Sequence, residues 1–191
     1  MIISLSGAHG SGKSTVAQKL ADTLNWPRYY MGGLRREAAQ KQGMTLAEYN
    51  RLGEDNPETD RIVDEYQKEL GLTQDNFIIE GRTSWYFIPH SLKIYLDVSS
   101  EVGAQRVFGH LQEKNDRNED KGLDSPAAVQ ASMEKRLLSD KKRYQKYYGF
   151  DVHDKSHYDL YLDTTNLDKD QVFAAVYHFV QEKLGNLDKR D

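Results

Sequence analysis

Apolar positions along the chain follow two rhythms. Short runs at Ile2 to Ser6, Arg28 to Met31, Phe77 to Ile79, Leu92 to Val98 and Tyr158 to Leu162 have the length and composition of strands. Between them the spacing is helical. Val16, Ala17, Leu20, Ala21 and Leu24 share one face, off which Gln18, Lys19 and Asp22 lie. Val172, Phe173, Val176, Tyr177, Val180 and Leu184 repeat the pattern and predict a closing helix from about Asp168 to Leu184. Strands that alternate with helices predict an α/β fold in three layers around a five-stranded parallel sheet.

Two segments depart from this alternation. The stretch from about 32 to 71 predicts a helical insert of three short helices, with Thr45 and Glu48 in capping-box spacing and Pro57 suited to a first helical turn. The second, Glu113 to Asp124, is charged and polar and is followed by a helix start at Asp124, Ser125 and Pro126. It predicts a lid over about 109–125. No repeat or compositional linker divides the 191 residues, so a single domain over 1–191 is expected, with the inserts as its moving parts.

Composition adds exclusions. A formal net charge of −4 argues against a general nucleic-acid binder, whose affinity is electrostatic. Cysteine is absent, which rules out disulfides and thiolate metal sites. The apolar run at the start is too short for a secretory signal and lacks a basic flank, and no stretch approaches the ~20 apolar residues of a membrane span. A cytoplasmic protein with no membrane partner is expected.

The chemistry begins at GAHGSGKST, comprising Gly7, Ala8, His9, Gly10, Ser11, Gly12, Lys13, Ser14 and Thr15, between the first strand and the first helix. It matches G-x-x-x-x-G-K-[ST] in the strand-to-helix setting that the motif requires. Glycines let amide groups converge on phosphates, the helix N-terminus adds its dipole, Lys13 reaches the terminal phosphates and Ser14 can ligate magnesium. ATP and Mg²⁺ are the implied cofactors. For His9 only the backbone is needed, and no catalytic role is expected.

Arginines bind phosphate bidentately. Arg36 opens the insert and Arg82 directly follows FIIEG at the end of the third strand run, so both could converge opposite Lys13 at the carboxyl ends of the strands. Arg136 and Arg143 differ by seven positions and so share one helix face, two turns apart. Glu80 could orient magnesium-bound water or hold Arg82, and a supporting role is favoured. His153 and His157 read as loop residues rather than metal ligands. Tyr29, Tyr30, Tyr147 and Tyr148 read as packing residues with hydrated hydroxyls. The helix from Lys135 to Lys146, with six cationic residues and one acidic, could touch RNA by charge alone.

Beyond the phosphate loop, the chain contains MGGLRREAAQKQGMTLAEY, NPETDRIVDEYQ, IIEGRTSW, LKIYLDV and EKRLLSDKKRYQKYYGFDVHDKSHYDLYLDTT. With these it resembles the nucleoside monophosphate kinases, and more closely the archaeal-type cytidylate kinases, over nearly its whole length. The resemblance implies a P-loop NTPase fold with an NMP-binding insert and a lid, and transfer of phosphoryl from ATP to a pyrimidine nucleoside monophosphate, CMP or dCMP. It implies that Arg36 and Arg82 hold the acceptor phosphate, that Arg136 and Arg143 neutralise the transferring phosphoryl group, and that Arg106 lies against the donor base. Asp154 and Ser156 match a stretch of the family. His110 stands where a second lid arginine would be expected. Base-reading residues are expected in the insert among Arg61, Asp64 and Gln67. The open alternatives are a kinase of AMP or another small molecule, and a nucleotide-dependent ATPase switch that binds RNA or protein. No stable nucleic-acid partner and a monomer are the expectation.

Overall fold

The computed structural model describes residues 1–113 and 122–187. Its centre is a sheet of five parallel strands: β1 (Ile2–Gly7), β2 (Arg28–Tyr30), β3 (Phe77–Glu80), β4 (Leu92–Asp97) and β5 (Leu160–Asp163), in the order β2-β3-β1-β4-β5. The helices are α1 (Lys13–Leu24), α2 (Met31–Lys41), α3 (Leu46–Gly53), α4 (Glu58–Thr73), α5 (Ser84–Phe87), α6 (Ser100–Leu111), α7 (Pro126–Tyr148) and α8 (Lys169–Leu187).

Alternation along the strands sends side chains to two faces. Ile3, Leu5, Ile78, Leu92, Ile94 and Leu96 pack with Val16, Ala17 and Leu20 of α1 and Val172, Val176 and Val180 of α8. On the opposite face Ile2, Phe77 and Ile79 pack with Met31, Val63, Leu70 and Ile88 from α2, α4 and the segment after α5. The result is the expected three-layer α/β sandwich.

The inserts follow their local signals. Thr45 Oγ1 accepts from Glu48 N and Glu48 Oε2 accepts from Thr45 N, a complete capping box at the start of α3. Pro57 sits at the N-cap of α4 rather than inside its first turn, and its carbonyl accepts from the amides of Asp60 and Arg61. α4 has 16 residues, so the insert is two short helices and one long one. Ser125 caps α7 with Pro126 as its first residue, and Gly149 ends it in the left-handed region at φ 77°. The expected lid, about 109–125, falls in part on residues 114–121, which lie outside the described residues. Tyr158, expected to begin the last strand, precedes it and donates its hydroxyl to Val152 O (2.8 Å).

The strand order positions the site. The connection after β1 leads to one side of the sheet and the connection after β4 to the other, so a crevice opens beyond the carboxyl ends of these neighbours. The loop 7–12 occupies it, packed against α6: a Cβ on Gly10 would stand 2.3 Å from Gly103 O, and φ at Gly10 is +77°. Only glycine fits both demands. Among the described residues no helix is long and apolar enough to cross a membrane.

Leu20 is fully buried between α1, the sheet and α8. Leu20→Ala is expected to lower the unfolding free energy by about 2–5 kcal/mol in urea denaturation. A loss below about 1 kcal/mol would contradict this packing.

Candidate active site

The phosphate loop ends in α1, whose N-cap, Gly12, has no side chain to cap the first-turn amides. These amides and the helix dipole make an anion site. Ser11 Oγ is buried without a hydrogen-bond partner, a second unspent polar group in the same loop. The donor set therefore fits a polyphosphate.

Glu80 at the end of β3 is almost wholly buried and organises the floor of the site. Its Oε1 accepts from Ser14 Oγ (2.5 Å) and lies 3.8 Å from Lys13 Nζ, while its Oε2 accepts from Arg28 Nη2 (2.6 Å). The expectation that Glu80 might hold Arg82 is corrected: it holds Ser14, Lys13 and Arg28. A hydroxyl beside a carboxylate is a hard-oxygen pair of the kind that suits magnesium.

Arg82 instead points between two other elements. Its Nη2 is 2.8 Å from His9 Nε2 in the phosphate loop, and its Nη1 is 3.2 Å from Asp140 Oδ2 on α7. Asp140 bonds through its other oxygen to Arg143 Nη2. Arg143 Nη1 donates to both oxygens of Asp60 on α4 (2.5 and 2.7 Å). Asp60 also accepts from Arg35 Nη1 (2.5 Å), whose Nε donates to Asn50 Oδ1 (2.7 Å). A continuous run of alternating charges thus links α2, α4, α7, the end of β3 and the phosphate loop. Burial alone would raise the pKa of Asp140, but Arg82, Arg143, Arg136 and Arg35 outweigh it and bring it down to about 2.

Of the expected residues, the structure brings Lys13, Ser14 and Arg82 to the mouth of this crevice. Arg136 is near enough to act on Asp140, as the spacing 136, 140, 143 on one helix face requires. Arg143 differs from expectation: it is fully buried with both carboxylates engaged, a brace rather than a group exposed to a transferring phosphoryl. Arg36 is buried on α2 next to Arg35. Arg106 on α6 donates to Thr164 O (2.9 Å) and Leu167 O (3.0 Å) and approaches Gly10 O (3.4 Å), so it ties the segment after β5 to the phosphate loop.

Arg61 and Asp64 line a groove of about 730 Å³ with Lys68, Tyr86, Phe87 and Tyr148; residues 7–15, Arg36, Arg82 and Arg136 are not part of its wall. Arg61 is exposed and paired with Glu58 and Glu65 on its own helix. Asp64 accepts from Tyr148 Oη, and burial pushes its pKa up to about 6. Gln67 is buried, donates to Thr83 Oγ1 (3.2 Å) and accepts from Ser84 Oγ (2.6 Å).

His157 stacks on Trp85 with centroids 4.2 Å apart, and His153 Nδ1 lies 2.7 Å from Tyr95 Oη. Among the described residues no cluster of three potential metal ligands exists. Asp154 caps the turn at Ser156. The hydroxyls of Tyr29, Tyr147 and Tyr148 donate to Gln74 Oε1, Gly53 O and Asp64 Oδ2. On α7, Lys141, Lys142, Arg143 and Lys146 have carboxylate partners. His110 is exposed in the last turn of α6.

Sequence reasoning missed His9, Arg35, Asp60 and Asp140 as side chains of this network. The one available signal was Asp140 itself, a lone acid three and four positions from Arg143 and Arg136.

A family model for the cytidylate kinase-like family matches residues 2–166. The chain is 31% identical to a cytidylate kinase of Archaeoglobus fulgidus, with all of both chains covered. It is 37% identical to one of Pyrococcus furiosus over 92% of this chain and 86% of that one. Among solved structures, a shikimate kinase from Bacteroides thetaiotaomicron shares the fold at a TM-score of 0.61 and 17% identity, covering 97% of this chain and 98% of that one.

Removing Arg143 would take from two buried carboxylates the cation they share. Arg143→Ala is expected to cost about 3–5 kcal/mol in urea denaturation; a cost below about 1 kcal/mol would deny the brace. The lowered pKa of Asp140 stabilises the fold above the unfolded value of about 4, and that contribution is lost as pH falls toward 2. Unfolding free energy measured across this window should fall with acidification, and less steeply in Asp140→Asn.

Proposed function

The chain belongs to the cytidylate kinase-like family, and on that premise we propose that it transfers the γ-phosphoryl group of ATP to a pyrimidine nucleoside monophosphate, CMP or dCMP. The observation that carries the reading is the approach of Arg82 to the phosphate loop, 2.8 Å from His9: a guanidinium stands beside the loop that cradles a triphosphate. Cation and cradle together make a site for two phosphate groups.

Phosphoryl transfer leaves the protein little covalent chemistry, so positioning and charge neutralisation are the work to be divided. The first-turn amides of α1 and Lys13 bind the donor phosphates. Ser14 and Glu80 would hold magnesium, which when bound supplies charge neutralisation on the phosphate oxygens. Arg82 and Arg36 bind the acceptor phosphate, and Arg136 faces the transferring group. Arg143 contributes indirectly, by fixing Asp140 and the insert. Arg106 spends the edge of its guanidinium on carbonyls, so a donor base would meet its flat face by stacking. For Asp64 and Arg61 to read the acceptor base, the groove on α4 must admit it; Asp64, half-buried and oriented by Tyr148, is the better held of the two. Closure of the inserts over the site would exclude water from the activated triphosphate.

A coupled assay across CMP, dCMP, UMP and AMP tests the acceptor, with turnover expected for CMP and dCMP. Turnover confined to AMP would overturn the reading. In the same assay Arg82→Ala is expected to lower kcat/KM for the monophosphate by about 30-fold or more, matching about 2 kcal/mol for a lost charge-assisted contact. A change of only a few-fold would remove Arg82 from the acceptor site.

A further inference from the structure

The phosphate-loop motif asks nothing of the side chain at position 9, yet His9 is aimed at Arg82. Arg82 Nη2 lies 2.8 Å from His9 Nε2 and 3.3 Å from Nδ1. A guanidinium only donates, so the imidazole is the receiving group, and Nη2 stands within reach of both of its nitrogens. The other terminal nitrogen of Arg82 is ion-paired with Asp140 Oδ2, 3.2 Å away and without hydrogen-bond alignment. Arg82 is thus approached at both ends of its fork, by a carboxylate on α7 and by the imidazole of the phosphate loop.

The backbone of His9 is held as firmly as its ring. A Cβ on Gly103 would stand 2.6 Å from His9 O, so the loop is seated directly on the start of α6. A long side chain such as arginine loses several rotors when it is fixed, and that ordering costs free energy on every binding event unless the protein has already met it. Two partners on separate elements meet it in advance.

We propose that His9 is a positioning residue: it orients the Arg82 guanidinium toward the acceptor phosphate and ties that orientation to the phosphate loop that holds the donor. This inference rests on the reading of Arg82 as an acceptor-phosphate ligand. The imidazole forms no bond to the reacting groups. Its effect passes through Arg82 and therefore shows in binding of the monophosphate rather than in the affinity for ATP.

The test compares His9→Phe, which keeps a flat ring without an acceptor, with His9→Gln, which keeps an acceptor oxygen. Steady-state kinetics with CMP and ATP varied separately, and thermal melting, are measured for both variants, for Arg82→Ala and for the double variant. His9→Phe is expected to raise KM for CMP by about tenfold, the scale of a hydrogen bond to a charged group, with KM for ATP and Tm near the parent values. His9→Gln is expected to recover most of that loss, and adding His9→Phe to Arg82→Ala to cost little more. An unchanged KM for CMP in His9→Phe, beside a strong effect of Arg82→Ala, would overturn the role of His9 alone. Equal rises in both KM values with a lowered Tm would overturn it in favour of a loop-packing role. An unchanged KM for CMP in Arg82→Ala itself would overturn the acceptor reading, and the His9 role with it.

Discussion

Arg143, fully buried between Asp60 and Asp140, is the contact on which the arrangement of this molecule turns. A guanidinium out of water is tolerable only when carboxylates take most of its donors, and the carboxylates in turn need further cations. That demand propagates: Asp60 recruits Arg35, and Asp140 recruits Arg82. Arg35 stands on α2, Asp60 on α4, Asp140 and Arg143 on α7 and Arg82 after β3, so the network sets these elements in one relation. Hydrophobic burial holds the sheet and its covering helices, but apolar contacts are non-directional and would tolerate small slips. The ion network does not, because its forks accept only narrow geometry.

The functional consequence lies at the end of that chain. Arg82 is placed by Asp140 and reaches His9 in the phosphate loop, so the groups proposed for the acceptor and for the donor are mechanically joined through side chains. On the donor side Glu80 collects Ser14, Lys13 and Arg28 at one carboxylate, and Arg106 fastens the phosphate loop to the segment after β5. Lys13, Arg82, Arg106 and Arg136 each lie near an acid or a carbonyl, which offsets the mutual repulsion of cations gathered at one site.

Much of this was legible in the residues alone, because it is local. The strand runs, the helical faces of α1 and α8, the capping box at Thr45 and Glu48, and the start of α7 at Ser125 and Pro126 depend on neighbours within a few positions. So does the phosphate loop, whose conformation needs glycines at fixed offsets between a strand and a helix. Spacing also placed Arg136 and Arg143 on one face of one helix.

Which way each of those arginines points was decided by packing. Arg143 reads in sequence like a second phosphate ligand, yet Asp60, 83 positions earlier, claims it. His9 reads as a backbone filler until Arg82, 73 positions later, is folded beside it. Glu80 and Arg82, two apart on an extended segment that enters a turn, diverge to different partners. A side chain's own neighbours set its helix, strand or cap, whereas the balance of buried charge is a property of residues distant in the chain, and only the tertiary structure brings those opposite charges within reach of one another.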